Sequence, residues 1–334
     1  MNPTDRVRLG RTDVQVTRLG LGLAPLAGLY REVGDGQAYA TVEQAWELGF
    51  RYFDTAPLYG SGLSERRAGR VLAGKPRAEF AVSTKVGRRL VGSGGREAAP
   101  DPGDRNDTIW AEPTDVVPIR DFSSEGVLRS YAESLDRLGL ERADVLHIHD
   151  PDDHYPEALA GALPALVRLR AEGRIGAVSV GMNQTEMLAD FVRTGEVDCV
   201  LLAGRYTLLD QSGLAELLPL AAEQGVSVIA GGVYNSGLLA DPKPGATYDY
   251  LPAPAGLLAR ALAVQEICAR HDVPLRAAAI QFPLGHPAVV SVVIGARSPA
   301  EVADAVAMFS HHIPDRLWQD LRREGLLPEE VPTP

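Results

Sequence analysis

FAVSTKVG, residues 80–87, is a short run of small and apolar side chains that ends on a charge, Lys85. Two more stretches further out have the same form. RYFDTAPLYG, residues 51–60, carries Asp54 at the end of an apolar run with Tyr59 five residues later, and DVLHIHDP, residues 144–151, carries His149. Near-continuous runs of Val, Ile, Leu and Ala suit the strands of a parallel sheet covered on both faces. Where such a sheet closes into a barrel, the C-terminal strand ends build the active-site face. Asp54, Tyr59, Lys85 and His149 are therefore candidate catalytic residues on one rim.

The rest of the chain repeats the pattern. Strands are expected at 19–23, in a run ending on 54, and at 80–85, 144–149, 175–180, 198–202, 226–230 and 289–294. Helices are expected between them at 38–48, 64–73, 125–138, 157–171, 186–194 and 214–223, with a last one at 299–309. This alternation predicts an α/β fold, one (β/α)8 TIM barrel spanning 1–334 as a single domain. Gly49, Gly139, Gly173, Gly195 and Gly225 fall between a helix and the next strand, where a helix end takes a left-handed residue. VRLGRTDVQVTRLG, residues 7–20, reads as an N-terminal β-hairpin plugging the barrel bottom. Two stretches break the repeat, 92–121 after strand three and 234–254 after strand seven. Both follow C-terminal strand ends, so both are expected to overhang the mouth and cover substrate.

Bulk properties narrow the class. The formal charge of −11 offers no cationic surface for nucleic acid or an anionic membrane. Cys199 and Cys268 are far apart and outside any CxxC spacing, which points to a reducing compartment. The N-terminus has no apolar signal core, and no run is long enough to span a bilayer. A cytoplasmic protein acting on a small molecule is the expectation.

The four rim residues suggest a chemistry. A free phenol titrates near pH 10, too high for easy proton exchange at neutrality. A cation beside it favours the phenolate, and Lys85 can be that cation with Asp54 as its counter-charge. His149 can hydrogen-bond a substrate oxygen. Such a tyrosine can move a proton during hydride transfer. Singly, each has a duller reading: Asp54 as a turn residue, Tyr59 at a core edge, Lys85 solvated, His149 a satisfied imidazole. Their order at successive strand ends argues against that.

These residues also carry a resemblance. With FDTAPLYGSGLSERRAGRVLAG (53–74), STKVG (83–87), HDPD (149–152) and VVIGARSPAEV (292–302), the chain resembles the aldo-keto reductases over about nine tenths of its length. GLGLAPLAGLY (20–30), AVSVGMNQ (177–184) and LLAGRYTLLDQ (201–211) resemble the aldose dehydrogenase branch, of D-threo-aldose 1-dehydrogenase and L-fucose dehydrogenase type. The resemblance implies a barrel with Tyr59 as acid/base, Lys85 and Asp54 tuning it, and His149 orienting substrate. It also implies a nicotinamide dinucleotide lying across the mouth. No GxGxxG opens a helix here, in agreement with that. Gly22 is expected beneath the nicotinamide, Gly181 and Asn183 at its carboxamide, and Gly295, Arg297 and Glu301 along the phosphates and adenosine, with Asp54 and Ser236 as further cofactor-binding residues. Ala203 and Gly231 stand where many members place a glutamine and a tyrosine around the nicotinamide ring. That leaves ring stacking open, with Tyr234 or Arg205 as substitutes. NADP-specific members often carry a lysine and an arginine where this chain has Gly295 and Glu301. A glutamate repels a 2′-phosphate but accepts from a ribose 2′-hydroxyl, so NAD is favoured over NADP. Arg297, which could clamp the phosphate, is the opposing residue.

Ala24 replaces a bulky aromatic of many family reductases and leaves room for a polyhydroxylated substrate. Trp110, Tyr234, His154, Asn235 and Arg205 are candidate lining residues. An aldose such as L-fucose, L-galactose or D-arabinose would be oxidised at C1 to a lactone with Tyr59 as base. Reduction of an aldehyde or ketone, pyridoxal-type substrates included, would use Tyr59 as acid. Two other readings remain. His147 and His149 form an HxH near Asp150, Asp152 and Asp153, a start for a zinc hydrolase, although strands five and six carry no histidine. A nucleotide-sensing regulatory subunit would keep the same four residues. No metal is expected in the favoured reading.

Overall fold

The computed structural model describes residues 1–94, 109–111 and 115–334. Its sheet follows from the apolar runs. β3 (Leu19–Gly22), β4 (Tyr52–Asp54), β5 (Ala81–Val86), β8 (Val145–His149), β9 (Ala177–Met182), β10 (Cys199–Ala203), β11 (Ser227–Gly231) and β14 (Val289–Gly295) close a barrel. All neighbouring pairs in it are parallel, and β14 closes on β3 through Val292↔Leu19 to Gly295↔Gly22. Strand alternation divides the core in two. Leu146 and Ile148 of β8 belong to the outer layer with the helices, whereas Val145 joins Tyr52, Ala81, Ala177 and Ile229 inside the barrel.

The bottom is plugged as expected. β1 (Arg6–Arg8) and β2 (Gln15–Thr17) pair antiparallel, and Leu9 and Val16 pack fully buried into the interior cluster. The Gly10 N–H donates to Ser227 Oγ at 2.7 Å, at the start of β11. An added Cβ on Gly10 would lie 2.2 Å from the Asp198 carbonyl, so only glycine lets the hairpin seat this deeply. The five inter-element glycines all have positive φ, from +61° to +87°.

Helices α1 (Asp35–Glu47), α2 (Leu63–Leu72), α3 (Ser124–Leu138), α6 (Thr185–Arg193) and α10 (Pro299–Ser310) match their expected positions within a few residues. The expected helix at 157–171 is interrupted. A turn, α4 (Tyr155–Glu157), opens into a π-helical stretch over Ala158–Ala162 before α5 (Leu163–Ala171). Pro164, in the first turn of α5, has no N–H to continue an α-helical ladder, and the preceding turn widens. α7 (Leu217–Gln224) starts later than expected, because 212–214 forms a separate 3₁₀ turn. Three further helices lie outside the expected set: α8 (Ala255–Arg270), α9 (Leu275–Gln281) and α11 (Asp315–Arg323). α8 and α9 begin after Pro254 and Pro274, with no side-chain cap to announce them.

The two irregular stretches contain more order than their composition suggests. β6 (Arg88–Gly92) and β7 (Val116–Arg120) pair as an antiparallel ribbon across the ends of the 92–121 segment. Most of its expected substrate-covering part, residues 95–108 and 112–114, lies outside the described residues. Within 234–254, β12 (Thr247–Tyr248) and β13 (Leu251–Pro252) form a two-residue hairpin turned by Asp249 and Tyr250, both at positive φ. Among the described residues, no helix is long and apolar enough to cross a membrane.

Candidate active site

The inward-facing ends of β4, β5 and β8 bring three charged or polar side chains together. Lys85 Nζ donates to both Asp54 oxygens, at 2.9 and 2.7 Å, and to the Thr55 carbonyl at 2.9 Å. Ser83 Oγ donates to Asp54 Oδ1 at 2.7 Å and stands 3.0 Å from the Tyr52 hydroxyl. Both partners of the ion pair are nearly dry, Lys85 at 2 % and Asp54 at 3 % exposure. A pair this buried persists only because its donors and acceptors are matched.

Tyr59 stands over this pair. Lys85 Nζ is 4.8 Å from the centre of its ring, and the His149 and Trp110 rings each lie 5.9 Å from it. Among the described residues, no hydrogen bond ties the Tyr59 hydroxyl, which leaves it free for a ligand. Here the electrostatics correct the sequence-based expectation. Burial, then the charges of Asp54 and Asp150, hold the Tyr59 phenol well above its ordinary value, with Arg88 pulling weakly the other way. Lys85, held by Asp54 and Thr55 with its charge balanced by Asp54, does not bring the phenol down to its ordinary value.

The HxH pair splits into two environments. His147 is fully buried, its Nδ1 2.7 Å from Ser179 Oγ and its Nε2 3.6 Å from Asp54, and burial pushes it down to about 3. It supports the floor under Asp54 and does not line the cavity. His149 does line it. Burial, Lys85 and Arg88 keep His149 neutral, and its Nδ1 has no partner while its Nε2 faces Asp150 at 3.5 Å. The Asp152, Asp153 and His154 cluster turns away: His154 stacks on Phe122 at 5.6 Å and lines a second, smaller hollow beside α3.

One cavity of about 950 Å³ takes in most of the expected site. Ala24, Tyr59, Lys85, Trp110, His149, Gly181, Asn183, Tyr234, Asn235, Ser236, Gly295, Arg297 and Glu301 all line it. Asp54 lies behind Lys85. Gly22 is not among the lining residues; an added Cβ there would meet Val293 Cγ1 at 3.0 Å. Arg205 is also outside, held by Asp249 at 2.7 Å and near Asp210. Tyr234 has Asp304 and Arg276 as its charged neighbours. Three loops meet over the mouth. Leu29 bridges to Trp110, the Tyr30 N–H donates to the Ile109 carbonyl at 2.8 Å, and the Tyr30 and Tyr250 rings lie 6.2 Å apart.

At the far end, α10 begins with Ser298 as N-cap, its Oγ accepting from the Glu301 N–H at 3.3 Å. Glu301 in turn accepts from the Arg297 N–H at 2.8 Å and from its guanidinium at 3.0 Å. The Ser-x-x-Glu sequence is that of a capping box, but the Glu301 carboxylate reaches one residue further back, to Arg297, instead of to the N-cap N–H. Gly295 has no room for a side chain, since a Cβ would lie 2.7 Å from Pro25 Cγ.

Asp150 is the site residue that sequence reading missed as such. It lines the cavity, sits at φ +42°, and has Arg88 3.4 Å from its Oδ2. The missed signal was positional: Asp150 directly follows the strand end that carries His149.

The cavity suits an extended dinucleotide together with a small substrate. Its wall runs from the Tyr59 hydroxyl to the capped start of α10, and the buried, unpartnered Asn235 Oδ1 offers a polar contact between them.

Comparison with known proteins agrees. Residues 18–323 match the model of the Aldo/keto reductase family. The chain is 42% identical to pyridoxal 4-dehydrogenase of Microbacterium luteolum, over 98% of this chain and 99% of that protein. It is 43% identical to D-threo-aldose 1-dehydrogenase of a Pseudomonas species, over 94% of this chain and 95% of that protein. The holo form of the aldo-keto reductase AKR11C1 from Bacillus halodurans superposes with a TM-score of 0.76 at 25% identity, over 98% of each chain.

Proposed function

Since the chain belongs to the aldo/keto reductase family, we propose that it oxidises the hemiacetal carbon of an aldose to a lactone, with NAD as hydride acceptor. The chain is an oxidoreductase, and NAD(P) is the cofactor class of its family. The observation that carries the finer reading is the convergence of Tyr59, His149 and the Lys85–Asp54 pair at one end of a cavity that continues to α10. The named substrates of the two relatives share a chemistry that supports it. An aldose and pyridoxal both close to cyclic hemiacetals, and loss of a hydride from that carbon together with the hydroxyl proton gives a lactone.

The dinucleotide, when bound, supplies the ring that exchanges a hydride. This chain's own residues do the rest. His149, neutral, holds the substrate oxygen by its Nε2. In oxidation the Tyr59 phenolate takes the hydroxyl proton of that oxygen, and Lys85, fixed by Asp54, favours that ionised form from beneath; in reduction the phenol gives the proton back. Asn183 and Gly181 would hold the carboxamide end, and Ser236 with the start of α10 the phosphates. Trp110 and Ala24 would border the substrate.

NAD is favoured over NADP by the Arg297–Glu301 pair. A 2′-phosphate would have to displace Glu301 from Arg297 and would then face its carboxylate, whereas a 2′-hydroxyl can donate to it. Gly295, packed on Pro25, leaves no place for a phosphate-binding lysine. The raised Tyr59 phenol supports a second reading, reduction of free aldehydes, in which it donates its proton.

The test is product analysis with L-fucose, L-galactose, D-arabinose and pyridoxal, each with NAD and with NADP. Lactone with NADH is the expected product. Turnover confined to aldehyde reduction would favour the second reading.

A further inference from the structure

Asp150 combines three features that the chemistry above does not use. It is the first residue beyond β8, where strand alternation would turn its side chain outward to the helix layer, after inward-facing His147 and His149. The chain instead enters the left-handed region at φ +42°, and Asp150 lines the cavity. The turn comes while the strand ladder is still paired, since the Asp150 N–H donates to the Gly181 carbonyl at 3.1 Å. Strain in a non-glycine residue beside reacting groups is a common mark of a functional position. Its Oδ2 is 3.5 Å from His149 Nε2, the nitrogen proposed to hold the substrate oxygen, and the side chain remains one third exposed. A carboxylate this close to His149 Nε2 would be within reach of a hydroxyl on the carbon next to the one whose oxygen His149 holds.

Resting on the reading of Tyr59 and His149 as the reacting end, we propose that Asp150 accepts a hydrogen bond from a hydroxyl on the carbon next to the reacting one. It thereby selects hydroxylated substrates over unsubstituted aldehydes. A carboxylate accepts strongly from a hydroxyl and offers a plain alkyl group nothing, so discrimination follows from desolvating it. Arg88 holds one Asp150 oxygen at 3.4 Å and leaves the carboxylate a further acceptor position.

The charges around Asp150 set a pH dependence. Arg88, Lys85 and Arg120 favour its ionised form and Asp152 opposes it, while burial dominates and pushes it up to about 6. Neutral His149 and the Tyr59 phenol also face it. Below that pH the carboxylate takes a proton, so the preference for hydroxylated substrates narrows.

Asp150→Asn and Asp150→Gly both tolerate the left-handed backbone, and dinucleotide affinity checks their folding. The readout is a ratio of kcat/KM values for matched pairs: glycolaldehyde against acetaldehyde in reduction, and L-galactose against its 2-deoxy analogue in oxidation. The expected result is a fall of about ten-fold in the ratio for Asp150→Asn, as for loss of one charge-assisted bond, and a larger fall for Asp150→Gly. An unchanged ratio, with both members of each pair slowed alike, would overturn the proposal and leave Asp150 as a residue that only positions His149. If the wild type oxidises no hemiacetal, the proposed function fails, and the aldehyde pair still decides the role of Asp150.

Discussion

At the scale of single residues, the site depends on how a buried ion pair is shared. Lys85 gives its three protons to Asp54 and Thr55, so the fixed charge beneath Tyr59 is nearly neutral overall. Lys85→Met should therefore cost stability as well as rate. It leaves Asp54 buried without its cation, an arrangement that costs about 3 kcal/mol. The uncompensated carboxylate also pushes the phenol higher, so the pH at which oxidation reaches half its maximum moves upward. Chemical denaturation and a pH–rate profile check both effects, and an unchanged profile would remove Lys85 from the electrostatics of Tyr59. The identities of Asp54, Tyr59, Lys85 and His149 were legible because each ends or follows an apolar run. The protonation of Tyr59 was not, because it depends on which acceptors satisfy Lys85, a matter of ångströms that spacing does not encode. His147 and His149 looked alike for the same reason. Ser179, thirty-two residues further on in the chain, is what separates their environments.

Secondary-structure elements carry the cofactor choice and the cover of the mouth. At the start of α10 the Glu301 N–H is capped by Ser298 and its carboxylate holds the Arg297 N–H, so Glu301 serves the helix start and the cavity together. Glu301→Arg should raise kcat/KM with NADP relative to NAD by about ten-fold, the scale of one additional charge-assisted hydrogen bond. It should also cost about 1 kcal/mol through the weakened cap. Steady-state kinetics with both dinucleotides and a thermal melt measure the two effects, and a ratio that does not move would place the adenosine end elsewhere. The hairpin of β12 and β13 was hidden in a stretch read as loop. Its strands have two residues each, too short for alternation to register, and it is anchored by Arg205 to Asp249 across forty-four residues. α8 and α9 were missed because they start behind prolines without a Ser, Thr, Asp or Asn cap.

For the whole molecule, the barrel was legible because it repeats: each strand must be apolar on both faces and each helix on one. The hairpin under the barrel was readable from the same alternation, in Val7, Leu9, Val14 and Val16. The non-repeating loops after β5 and β11 were expected over the mouth, with Trp110 among the lining residues; Tyr30, after β3, and Tyr250 were not foreseen, and all three line the cavity. A closed barrel fixes three strand ends rigidly enough to hold Tyr59 and His149 against one substrate oxygen. The proposed reaction stands or falls on the Tyr59 hydroxyl carrying the proton of that oxygen. Stopped-flow measurement of nicotinamide reduction, on mixing the NAD-loaded protein with L-galactose, isolates that step. With Tyr59→Phe the hydride-transfer rate should fall by about a thousand-fold while NAD affinity stays within two-fold or so; a rate within about ten-fold of wild type would take the proton away from Tyr59.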